Sequence, residues 1–166
     1  MEKYRTFLPR VVALIIDNLV FLPLMLINYL ISGLEPTLVL YLWLLIASLA
    51  HPFYTFLMHG FYGQTLGKMA MNVKVVNTAE HSINFHQAVL RSMPEIIFNS
   101  GAVFFVVLET ADEKGSFDSL LGLVFTIVLF LTIIWGIADI FVFIIDEKHR
   151  ALHDFITGTV VIELNP

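Results

Sequence analysis

The stretch LLGLVFTIVLFLTIIWGIADIFVFII, Leu120–Ile145, decides the fold. A helix needs about 20 mostly apolar residues to cross roughly 30 Å of hydrocarbon. This run is longer than that and holds a single charged residue, Asp139. Working outward, Leu38–Met58 is a second such run, with His51 immediately before Pro52. Val11–Ile31 is a third and carries Asp17, Asn18, Pro23 and Asn28. Its Val, Ile, Leu and Phe residues together favour insertion by roughly 4–8 kcal/mol, against about 2.5–3.5 kcal/mol lost to one central aspartate. Ile96–Leu108 is shorter; it reaches spanning length as Met93–Thr110, diluted by Asn99, Ser100 and Gly101.

Composition points the same way. Of 166 residues, 58% are apolar and 14% charged, whereas a soluble domain carries about 45–50% and 25%. So little charge cannot keep a folded surface dissolved, which argues against a disordered chain and a soluble enzyme and for an integral membrane protein in contact with the lipid bilayer. The net charge is −5 with no polybasic run, so nucleic acid is not an expected partner. With no cysteine, neither a disulfide nor a thiolate site is possible.

The basic residues orient the spans. Lys3, Arg5 and Arg10 precede the first, Lys68, Lys74 and Arg91 lie between the second and third, and Lys148 and Arg150 follow the fourth. Lys114 alone falls on the other side, among Glu109, Asp112, Glu113 and Asp118; the remaining loop holds Glu35. Four spans, at about 11–31, 38–58, 93–110 and 120–145, satisfy the positive-inside rule; three would strand Lys148 and Arg150 outside. The expectation is an all-α integral membrane protein, one domain over 1–166, with both termini cytoplasmic in a prokaryotic-type inner cell membrane. Asp17 and Asn18 interrupt the first run and no small-x-small site follows closely, so it is expected to stay uncleaved.

The cytoplasmic loop 61–92 is the sizeable polar region. Gly63-Gln64-Thr65-Leu66-Gly67-Lys68 is not a phosphate loop: its glycines are one residue too close, and Met69 stands where Ser or Thr should hold magnesium. It reads as a turn leaving the membrane. Asn72–Asn77 and Gly158–Glu163 both read as β-branched strands. An isolated strand leaves its backbone unpaired, so Val73–Val76 and Thr159–Ile162 are expected to form a small two-stranded cytoplasmic β element leaning on the helix ends. Ser82 reads as the N-cap of an amphipathic helix.

Three of these segments together resemble the RDD family of membrane proteins, named for one arginine and two aspartates. Arg10 to Asp17 fits the start of the first helix, Gly63 to Val76 the segment after the second, and Asp146 to Asp154 with Gly158–Val161 the ending. The resemblance maps Arg10 and Asp17 onto the signature arginine and first aspartate. The second aspartate is Asp154, with Asp146 as the rival. What the resemblance implies is transport of ions or small ligands.

Each polar residue has two readings. An ionisable group inside a span tends to mark an ion or proton path, and Asp17 with Asp139 as a second carboxylate would suit a proton or a monovalent cation; the bland alternative is polar glue between helices. Asn18 and Asn28 offer neutral oxygens. Arg10 and Asp17 share a helix face about 10.5 Å apart, so each is expected to find its partner in another segment, Arg10 in Asp154 or Asp146. Asp146 reads as a cap, and Glu95, after Pro94 at the start of the third span, as complementing a helix dipole. His51 suits a proton relay or a carbonyl freed by Pro52. His149 and His153 have the spacing of two metal ligands but lack a third, so no metal or cofactor is expected, and no nucleophile–base pair marks an enzyme. Two function classes remain: a transporter, as a possible homo-oligomer because four helices enclose little space, or a non-transporting scaffold for another membrane complex.

Overall fold

The computed structural model describes residues 2–31, 38–111 and 118–164. The loop residues Glu35, Asp112, Glu113 and Lys114 fall outside these. A single 3₁₀ turn, Glu2–Tyr4, leads into α1 (Phe7–Val20), α2 (Leu22–Ile31), α3 (Leu38–Tyr62), α4 (Leu66–Ala70), β1 (Val73–Asn77), α5 (Phe85–Ala111), α6 (Asp118–Ile145), α7 (Leu152–Thr157) and β2 (Thr159–Glu163).

The first apolar run is two helices, not one. α1 ends at Val20 and α2 leaves at an angle of 50°. Pro23 explains the break: it has no N–H to give, and its ring would clash with the carbonyl four residues back. Among the described residues α3 and residues Gly122–Ile145 of α6 are long and apolar enough to cross a membrane, or three spans if the bent α1–α2 pair is one. The expected span at 93–110 lies on α5, which starts earlier, at Phe85, and runs through Pro94; many side chains of its second half are outside the described set. Phe130, Phe141 and Ile144 of α6 are 62%, 62% and 68% exposed. So much uncovered apolar surface suits lipid rather than water.

The tight packing sits elsewhere, in a layer at one end of the helices. β1 and β2 pair antiparallel, with Val73 opposite Glu163, Val75 opposite Val161 and Asn77 opposite Thr159. Val73, Val75, Ile83, Ala88 and Val161 form its buried core, with Phe56 of α3 and Met71 packed against it. A two-stranded sheet alone is marginal; this one is propped by helices on both sides. Lys3 and Tyr4 reach Glu80 at 2.6 Å each and pin the N-terminal turn to the loop after β1.

Two local expectations change. The N-cap of α5 is Asn84, not Ser82: Asn84 Oδ1 accepts from Gln87 N at 2.8 Å, and Gln87 Oε1 accepts from Asn84 N at 3.2 Å. This reciprocal box satisfies two orphan donors, while Ser82 bridges to Val76 instead. And the glycine-rich turn contains a helix, α4, capped by Thr65. Gly67 lets α4 lie against α1: a Cβ there would sit 2.1 Å from the carbonyl oxygen of Ala13.

Candidate functional site

Three polar assemblies join these elements. The first surrounds Asp17, which faces α4 where Gly67 touches α1. Its Oδ1 accepts from Tyr54 Oη and Gly67 N, both at 2.8 Å, and its Oδ2 from Thr65 Oγ1 at 2.6 Å. Tyr54 Oη in turn accepts from Leu66 N at 2.8 Å. Asp17 is 5% exposed. A buried carboxylate holding three donors is satisfied by protein, so α1, α3 and α4 meet at one residue. Asn18 and Asn28 supply no oxygen here: Asn18 Nδ2 donates to Leu14 O at 2.8 Å, and Asn28 Oδ1 accepts from Trp43 Nε1 at 2.7 Å.

The second assembly is built on Asp154 in the first turn of α7, fully buried. Its carboxylate turns back to accept from Ala151 N at 3.2 Å and so caps its own helix. It also accepts from Arg10 Nη1 at 2.8 Å, from Arg91 Nη1, and from Thr159 Oγ1 at 3.2 Å. Arg10 rests over the Phe143 ring, 5.3 Å from its centroid. Burial alone would raise the Asp154 pKa; the charges of Arg91 and Arg10 reverse that and hold it well below the usual carboxylate range. Arg91 Nη2 faces His153 Nε2 at 3.1 Å, and His153 Nδ1 faces Asp139 Oδ1 at 2.8 Å. A guanidinium can only donate, so His153 accepts at Nε2 and donates from Nδ1 to Asp139. The chain Arg10–Asp154–Arg91–His153–Asp139 thus ties α1, α7, α5 and α6 together. Asp139 is therefore not the second carboxylate of Asp17.

Asp146 stands apart from both. Arg150 Nη2 donates to it at 2.7 Å, and its Oδ2 caps the turn after α6 by accepting from Lys148 N and Arg150 N, each at 3.1 Å. The Arg150 hydrogen bond lowers its pKa to about 2. Of the two candidates it is Asp154, not Asp146, that pairs with Arg10.

The third assembly lies between α3 and α5. His51 Nδ1 pairs with Glu95 Oε1, and Thr55 Oγ1 approaches Glu95 Oε2 at 3.5 Å. Because α5 begins at Phe85, Glu95 is nearly three turns inside it, and the helix-dipole account fails. His51 meets a carboxylate rather than a carbonyl freed by Pro52. Phe61 and Phe85 stack edge-on at 5.2 Å, so the end of α3 and the start of α5 are level. Both residues lie about 15–16 Å along their helices from that end at 1.5 Å per residue, and Glu95 stands one turn beyond Arg91 of the second assembly, where the apolar run of α5 begins.

Sequence reasoning missed Arg91, counting it only as a loop cation, and missed Tyr54, Thr65 and the pair Lys68 Nζ–His59 Nε2 at 2.7 Å. Burial, and then the charge of Arg91, hold the Lys68 amine well below its ordinary pKa. His149 and His153 do not converge: His149 stacks on Phe143.

The depressed Asp154 and Asp146 carboxylates set an acid limit. A carboxylate whose pKa is lower folded than unfolded adds stability above its unfolded pKa, about 3.9. That contribution falls away as pH drops through the folded value. Thermal unfolding of the detergent-solubilised protein should be flat for these two groups from pH 7 to about 5 and fall steeply below about 4. Asp146→Asn should flatten the part of that fall between about pH 4 and pH 2. An unchanged melting temperature down to pH 2 contradicts the assignment.

The sequence profile of the RDD family matches residues 4–158, nearly the whole chain. No curated protein and no solved structure matches.

Proposed function

The chain belongs to the RDD family, and on that premise we propose that it is a four-span carrier in which proton movement drives an ion or small ligand across a cell membrane, both termini lying on the cytoplasmic side. The single observation that carries this is the His51–Glu95 pair, two ionisable groups in contact between the apolar helices α3 and α5. Ionisable groups there are costly and tend to mark proton or ion paths. An imidazole and a carboxylate in contact can hand a proton from one to the other. This moves the candidate site from Asp17, whose carboxylate is taken up by Tyr54, Thr65 and Gly67, to a pair whose side chains remain 27% and 35% exposed. The loop charges support the topology, since eight of the nine basic residues share one side in the four-span reading.

One observation favours the second reading, a scaffold that assembles with other membrane proteins: Arg10, Asp17 and Asp154 all act between segments of this chain and hold its cytoplasmic layer to its helices.

The test is flux in liposomes, with a panel of monovalent cations and an imposed pH gradient. The parent should couple cation movement to the gradient. Glu95→Gln, which keeps the shape and removes the carboxylate, should lose about a hundredfold in rate, the low end of a general acid–base contribution. Absence of coupled flux in a folded parent, or parental flux in Glu95→Gln, supports the scaffold.

A further inference from the structure

We propose that a groove between α5, α6 and α7 holds one acyl chain of a membrane phospholipid as a site-bound lipid. The groove is a cavity of about 300 Å³, at the small end of ligand sites, roughly 300–1,000 Å³. Leu90, Met93 and Ile97 of α5 form one wall, Trp135 of α6 the other, and Ile156 of α7 the floor. Three α5 residues at helical spacing make a continuous apolar stripe. Met93, Ile97 and Ile156 are 41%, 62% and 61% exposed, so the groove opens sideways.

Three features select a phospholipid chain. The first is continuity. Trp135 lies inside the part of α6 long and apolar enough to span, and Ile134 and Ile137 beside it are exposed, so the rim runs into the surface that faces lipid. The second is the absence of any polar demand. Of the lining side chains only His153 and the Trp135 indole carry polar atoms, and both His153 ring nitrogens are occupied, by Asp139 and Arg91. A ligand needing several hydrogen bonds finds at most the Trp135 N–H, whereas an acyl chain needs none. The third is charge complementarity at the mouth. The segment that makes the floor follows Lys148 and Arg150, and the Arg150 guanidinium lies over Phe155, 4.7 Å from its ring centroid, beside floor residue Ile156. Arg150 gives Nε and Nη2 to Asp146, and its Nη1 is left to donate to a lipid phosphate.

Trp135 is a built-in probe, since Trp43 is the one other tryptophan. The Trp43→Phe protein is reconstituted with rising fractions of phosphatidylcholine brominated on its acyl chains. A bound chain should quench Trp135 in a saturable step at low fraction, above the quenching that bulk lipid gives in proportion to its amount. Leu90→Phe with Ile97→Phe, which fills the groove, should remove that step and leave the proportional part. Native mass spectrometry of the unmodified protein gives a second reading: one phospholipid retained, and lost in the filled variant. Strictly proportional quenching in both proteins, or equal lipid retention in both, overturns the proposal.

Discussion

Replacing Asp154 with alanine should cost about 3–5 kcal/mol of stability, the loss expected when one partner of a buried ion pair is removed and the other charges stay buried. Asp154 is fully buried, and the side chains of Arg10 and Arg91 are 15% and 6% exposed. The variant keeps both guanidiniums and loses the carboxylate that faces them. It also loses the cap on Ala151 N and an acceptor for Thr159, so the damage reaches β2. Thermal unfolding in detergent measures the total. Limited proteolysis should then cut first near residues 146–160, before the spans are released. Asp154→Asn should fall between the two, keeping the cap but not the charge.

The second large effect is expected at Gly67. An alanine methyl there would lie 2.1 Å from the Ala13 carbonyl oxygen and 2.8 Å from its carbon. These are backbone atoms of α1, so no side chain can swing aside, and α4 must move away. That movement separates Gly67 N and Thr65 Oγ1 from Asp17, adding unsatisfied buried groups to the steric cost. Overpacking costs about 1–3 kcal/mol and each stranded polar group about 1–3 more. Gly67→Ala should therefore melt far below the parent, and Gly67→Ala with Asp17→Ala should be little worse than Gly67→Ala alone. Melting within a degree or two of the parent would show that α4 is not seated on α1.

Much of this was legible in the residues because it follows from local composition and from what a strand or a buried charge requires. Two β-branched runs in one compartment need partners, and they pair. Arg10 at the mouth of α1 and Asp154 after α6 return to one level, and they meet. Two of the misses share a cause. Apolarity marks the middle of a helix but not its polar ends, and α5 begins about three turns before its apolar run. Those turns carry Arg91 and Glu95, which therefore looked like a loop cation and a terminal carboxylate. The donors to Asp17 were hidden for another reason. They depend on α4 and α1 approaching to backbone contact, and the one trace of that in the sequence is Gly67 inside a stretch that otherwise reads as a turn.

Arg10 and Asp154 act as a single clamp between the layer built on β1 and β2 and the first helix. A double-mutant cycle on Arg10→Ala and Asp154→Ala, read by unfolding free energy in one detergent, tests it most directly. The clamp predicts strong non-additivity: once Asp154 is gone, removing Arg10 should cost little more, or recover stability by relieving an uncompensated buried charge, with a coupling of about 2–3 kcal/mol. Losses that add within about 0.5 kcal/mol would contradict it.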